Sequence, residues 1–290
     1  MAISGLMMAL ALLGAQRSPQ ETPDALPDIV VRGASGDPVG RFVGGVTVPG
    51  EHGRFEGQVA RWGDSLCVSV TGATPEVNAY LTEQITANFK SLDVPHQGPN
   101  CEPTVAVVVS READAFAQVY ADRARVRLFD NRREAIARFV GPSRPVRWRH
   151  AVVTGALGAD PSRHPVAAER GQAVARLPGS RLRVATARAV TRAIIVVDAD
   201  RASTAPLDAL AAYLAFVTLV DLPSEPTTGA QRTILTLFDE SAGPDRARAL
   251  TRWDRAFITA LYGMAADRTF SFQQAEIESR MRRVLEAPTP

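Results

Sequence analysis

At 290 residues, 46% of them hydrophobic and 22% charged, the chain is long enough to bury a sizeable core and is not a highly charged disordered polymer. Of its 33 basic residues only Lys90 is a lysine, a preference that follows most simply from a GC-rich genome. The net charge of +2 hides an uneven distribution: 18 arginines face 9 acids between Arg111 and Arg201, while both flanks are acidic. A basic middle of this kind marks either an anion-binding face or a surface neutralised when the segments pack together.

Residues 1–15 form an uncharged apolar run ending in the small residues Gly14 and Ala15, followed by the polar Gln16. That is the hydrophobic region and cleavage site of a signal peptide, and the run is about half the roughly 20 residues a membrane helix needs. The chain is therefore expected to be exported to the periplasm or beyond, with no transmembrane segment in the mature protein. Residues 16–40, polar and proline-rich at first, read as a disordered leader. Cys67 and Cys101 are the two cysteines. In an oxidising compartment they are expected to pair, closing a loop of about 35 residues and stabilising the fold by roughly 3–4 kcal/mol.

The pattern predicts an α+β fold, with an N-terminal unit over 41–142 and a second unit over 146–290 that either stands alone or continues the same domain. In the first unit, Leu66–Val70 reads as a strand. Thr74 then caps a helix with Pro75 at its first position, whose inner face is Val77, Tyr80, Leu81, Ile85, Phe89 and Leu92. The β-branched run Thr104–Val109 reads as a strand buried on both sides. Ser110 is expected to cap a helix packing through Ala113, Phe116, Ala117 and Tyr120, and another helix is expected over 131–140. In the second unit, strands are predicted at Val146–Val153, Arg181–Ala185 and Ala193–Val197. Pro206 opens a helix with Leu207, Leu210, Ala211, Leu214 and Val217 on one face. Two closing helices are marked by the capping-box pairs Thr251/Asp254 and Ser271/Gln274. Their apolar stripes are Leu250, Trp253, Phe257 and Leu261, then Phe272, Ile277, Met281 and Leu285.

Chemistry is harder to read. Gly63-Asp-Ser-Leu66 spells the nucleophile block of a lipase and esterase family, and Asp93-Val-Pro-His96 supplies an Asp-x-x-His. The two blocks stand only about 30 residues apart without the intermediate blocks that such a triad needs, and the match is read as chance. Among the four histidines, His150 and His164 flank one loop together with Glu169, and these three are the candidate site residues. No metal-ligand spacing, Walker loop or dinucleotide fingerprint is present, so no metal and no cofactor is expected. Aromatic residues do not interleave with the arginines, and export argues against intracellular nucleic acid as a partner.

Arg41-Phe-Val-Gly44, the Cys67 strand ending in Gly72, Ser180-Arg-Leu before Ile194-Ile-Val-Val-Asp198, and Ala209-Leu-Ala-Ala-Tyr213 form a recognisable series. The clearest parts are Thr233-Ile-Leu-Thr-Leu-Phe238, Leu250-Thr-x-Trp-Asp254 and Ala260-Leu-Tyr262. On these residues the chain resembles a group of uncharacterised exported proteins of sphingomonad-type alphaproteobacteria. Its C-terminal part is also faintly similar to a bacterial domain-of-unknown-function family of suspected zinc-peptidase-like ancestry. That second resemblance implies a site on the helix before the Leu-Thr-x-x-Asp block. The matching helix here, Leu207–Phe216, offers only Asp208, too few ligands for catalytic zinc. The expected function is non-catalytic binding of an envelope protein or polymer. The alternatives are a peptidase-derived hydrolase and a binder of anionic envelope polymer acting through the arginine-rich middle. The sequence supplies no substrate and no oligomeric state.

Overall fold

Asp37 begins the ordered fold by capping a helix: its carboxylate accepts a hydrogen bond from the Val39 N–H at 3.1 Å, with Pro38 at the first helical position. The computed structural model describes residues 37–49, 57–98, 100–129, 132–157, 183–240, 243 and 246–288. The proposed signal peptide and the leader up to residue 36 lie outside them. Helix α1 (Pro38–Val46) includes three residues read from sequence as leader, because Asp-Pro is a helix start and not only a polar dipeptide.

Two short strands follow, β1 (Arg61–Trp62) and β2 (Val68–Thr71). Thr74 caps α2 (Pro75–Ser91) as expected, and α2 buries Leu81, Ile85 and Phe89 while Tyr80 stays exposed. The chain returns as β3 (Val105–Ser110), parallel to β2. The Cys67–Cys101 disulfide is present at the entry to this β-α-β unit. Around it, the Cys67 carbonyl accepts from the Thr104 and Val105 N–H groups at 3.0 and 2.9 Å.

Three helices then cover one face: α3 (Ala113–Arg123), α4 (Arg125–Phe129) and α5 (Arg133–Val140). Ser110 is not the cap of α3. That position belongs to Glu112, whose N–H donates to the Ser110 hydroxyl at 3.1 Å. Strand β4 (Val146–Ala156) runs antiparallel to β5 (Thr186–Asp198). Of the two strands expected over 181–185 and 193–197, the first lies partly outside the described residues, and the second is the end of the longer strand β5. Its first half carries Arg188 and Arg192, which hid its strand character from a search for apolar runs.

Strand β5 pairs with β3 and β1 in parallel along one edge and with β4 along the other, so strands from both sides of residues 142–146 form one sheet. Alternation along β5 divides the core. Ile195 and Val197 join α2 and the C-terminal helices, while Ile194 and Val196 join α3, α4 and α5. Helix α6 (Leu207–Leu219) was expected to have one apolar face. Every residue from Ala209 to Leu219 is buried, so it is a central helix wrapped on all sides.

Helices α7 (Arg252–Gly263) and α8 (Phe270–Glu286) complete the fold. Thr251 and Asp254 form the predicted capping box. The Asp254 carboxylate, fully buried, also accepts from the Ile234 N–H at 2.9 Å and from the Thr233 hydroxyl. It thereby ties the Thr233–Phe238 segment to the start of α7. At the other end of α7, the Arg61 guanidinium donates to the Leu261, Tyr262 and Met264 carbonyls at 2.8–3.0 Å and satisfies orphan acceptors of the last turn. The second predicted capping box, Ser271/Gln274, is not used. Thr269 is the N-cap, without a side-chain bond, and the buried neighbour Gln273 accepts from the Val59 N–H at 2.7 Å. No described helix is long and apolar enough to cross a membrane.

Candidate functional site

A cleft lies along β4. It is lined by Arg147, Trp148, Arg149 and His150 in succession. Neighbouring side chains of a strand point to opposite faces, so a cleft touched by four in a row must run along the strand's edge. This edge is the outer one of the sheet among the described strands. Helix α5 and the residue before it wall one side with Arg138 and Arg132, and the segment after α6 walls the other with Asp221 and Ser224. The cleft is partly open to solvent and has a volume of about 120 Å³. That suits one small polar group better than a drug-sized ligand, whose pockets run to roughly 300–1,000 Å³.

Six arginines line this space: Arg132, Arg138, Arg144, Arg147, Arg149 and Arg188. Asp221 is the one acid among the described lining residues. Each arginine with described bonds is held by its surroundings. Arg144 is bonded to the Ser224 carbonyl and lies 3.3 Å from Glu225. Arg149 donates to the Leu128 carbonyl at 3.0 Å and sits over the Phe129 ring, and Arg188 donates to the Gln58 carbonyl at 2.7 Å. Arg147 is bonded to Asp114 and directed at the Phe139 carbonyl, while its Nε, buried, meets no acceptor among the described residues. Such held guanidinium groups form a preorganised positive wall.

His150 sits on the opposite face of β4 from Arg147 and points towards α6. It is 2% exposed. Its Nε2 lies 3.3 Å from the Thr218 carbonyl, and its Nδ1 lies 3.7 Å from an Asp221 carboxylate oxygen without a hydrogen-bond partner. A carbonyl only accepts, so Nε2 carries the ring proton and the neutral ring presents a bare Nδ1. Burial pushes the imidazole pKa below its ordinary value, against the raising effect of Asp221.

The other two candidates, His164 and Glu169, lie outside the described residues. The structure gives His150 partners that sequence reading missed, Asp221 above all. Nothing local marks that residue; it becomes visible only once α6 is seen to end beside β4. Among the described residues no group of three or more potential metal ligands assembles. No described hydroxyl bonds to His150 as a nucleophile would. The Gly63–Leu66 block meets Asp93–His96 through backbone hydrogen bonds between Leu66 and residues 95 and 97. His96 Nδ1 is turned to the Val94 carbonyl at 2.9 Å.

A second crevice opens beyond the C-terminal ends of β3 and β5, between Glu112, Asp114, Asp198 and Arg201. Asp114, Asp198 and Arg201 all have charged partners. Asp198 accepts from Arg201 and from the Asp200 N–H at 3.1 Å, and Asp114 binds Arg147. No protein-family model, no curated protein and no solved structure matches the chain.

Proposed function

We propose that this is an exported, non-catalytic binding protein that captures a small anionic group, carried by an envelope molecule, in the cleft along β4. The observation that carries the reading is the set of six arginines around a cleft with a single acid among its described lining residues. All six come from the arginine-rich middle of the chain, which favours the anion-binding reading of that segment over simple internal neutralisation. Export is supported by the apolar N-terminal run and by the Cys67–Cys101 bridge, which suits an oxidising compartment. The resemblance to exported alphaproteobacterial proteins belongs to the same proposal.

The test is calorimetric titration of the disulfide-bonded chain with inorganic phosphate, propionate and L-alanine at low and high salt. Saturable binding that weakens as salt rises, and that falls further in Arg144→Gln, is expected. Absence of binding by all three probes would overturn the reading. So would hydrolase activity abolished by changing one residue.

A further inference from the structure

The contact between His150 and Asp221 joins two acceptors. The proton on Nε2 is fixed by the Thr218 carbonyl, which also accepts from the Trp62 indole N–H at 2.7 Å. That leaves the Nδ1 lone pair facing a carboxylate oxygen 3.7 Å away. Moving the proton to Nδ1 only transfers the mismatch to the Thr218 carbonyl, and protonating both nitrogens places a cation in a fully buried site. Among the described residues no donor comes to the Asp221 carboxylate, although its side chain is only 14% exposed. A buried acceptor, His150 Nδ1, facing the part-buried Asp221 carboxylate with no described donor between them costs free energy that a ligand carrying N–H groups would recover. An ammonium fits best: it has several donors on one atom and a charge opposite to that of Asp221. The arginines across the same cleft call for a carboxylate.

We propose that the cleft binds a zwitterion of the α-amino-acid type, its ammonium between His150 Nδ1 and Asp221 and its carboxylate on the arginine wall with Arg144 and Arg147. This rests on the anion-binding reading above and narrows it to one ligand class. The small volume, about 120 Å³, favours glycine, alanine or serine, or the end of a longer molecule that presents the same pair of charges.

The experiment compares three near-isosteric probes on the wild-type, disulfide-bonded protein near pH 7.5: L-alanine, L-lactate and propionate, with D-alanine and D-lactate run alongside. Lactate replaces the ammonium by a hydroxyl and propionate by a hydrogen, while all retain the carboxylate. Alanine of one hand is expected to bind at least about tenfold more tightly than the matching lactate, the scale of a hydrogen bond to a charged group. Asp221→Asn, checked for folding by circular dichroism, should bring the two close together. Equal affinity for alanine, lactate and propionate in the wild type would overturn the zwitterion site and leave the anion-binding reading standing. Failure of every probe would overturn that reading itself.

Discussion

Removing the disulfide by the double change Cys67→Ala and Cys101→Ala tests how the N-terminal β-α-β unit is held. The cysteines are 34 residues apart. For a closed loop of that size the chain-entropy relation gives about 12.7 cal/mol/K, or about 3.8 kcal/mol at 25 °C. The folded state loses little geometry, because the Cys67 carbonyl keeps its bonds to the Thr104 and Val105 N–H groups and the Cys67 N–H keeps the Thr104 hydroxyl at 3.0 Å. The loss therefore falls mainly on the unfolded chain, which becomes freer. Alanine avoids leaving a hydroxyl in the buried Cys67 position. Urea unfolding should show a stability lower by about 3–4 kcal/mol, a large share of the roughly 5–15 kcal/mol typical of a domain. The denaturant slope should rise, since an uncrosslinked unfolded chain exposes more surface. A loss below about 1 kcal/mol with an unchanged slope would refute the reasoning, because the loop would then already be constrained in the unfolded state.

Two further outcomes follow from particular contacts. Burial keeps the His150 pKa below 6.5 in the fold, so below that pH the unfolded chain takes up a proton that the folded chain resists. Stability is then full above about pH 6.5 and falls as pH drops, by at most about 1.4 kcal/mol per pH unit. Unfolding curves between pH 7.5 and 5 should show this decline in wild type and lose it in His150→Phe; an identical slope in both would assign it to other groups. At Gly45, an added Cβ would lie 1.9 Å from the Thr227 carbonyl oxygen, whose own N–H donates to the Gly45 carbonyl. Gly45→Ala should cost about 3 kcal/mol by forcing the two backbones apart, and a thermal midpoint unchanged from wild type would show that α1 shifts freely.

Much of the fold was legible because its signals are local. Thr74-Pro75 and Thr251/Asp254 declare helix starts through side chains that reach only three residues along the chain, and the valine run of β3 declares a doubly covered strand. The failures have physical causes. Charged residues on β5 are accommodated outside the apolar core: Arg188 reaches the Gln58 carbonyl, and Arg192 is exposed, 4.0 Å from Glu102. The all-round burial of α6 needs partners from α2, β5 and α7 that no local window contains. Ser271/Gln274 fits the capping spacing, yet the helix starts earlier because the Phe270 N–H bonds the Gly57 carbonyl at 2.8 Å and docks the first turn there.

The site was legible only in part, and the division is informative. The arginine excess between residues 111 and 201 was visible as charge, and Arg144, Arg147 and Arg149 carry it to the cleft. His150 was visible as a rare residue type but was grouped with His164 and Glu169 because they share a loop. Its structural partner is instead Asp221, which enters from the far end of α6, distant in sequence and adjacent in space. A histidine chosen for packing alone would have both ring nitrogens either bonded or facing apolar atoms. His150 has one nitrogen satisfied by a carbonyl and the other aimed at an acceptor, beside a wall of arginines. That mismatch, not the histidine itself, is what motivates the proposed ligand site in place of a filled core.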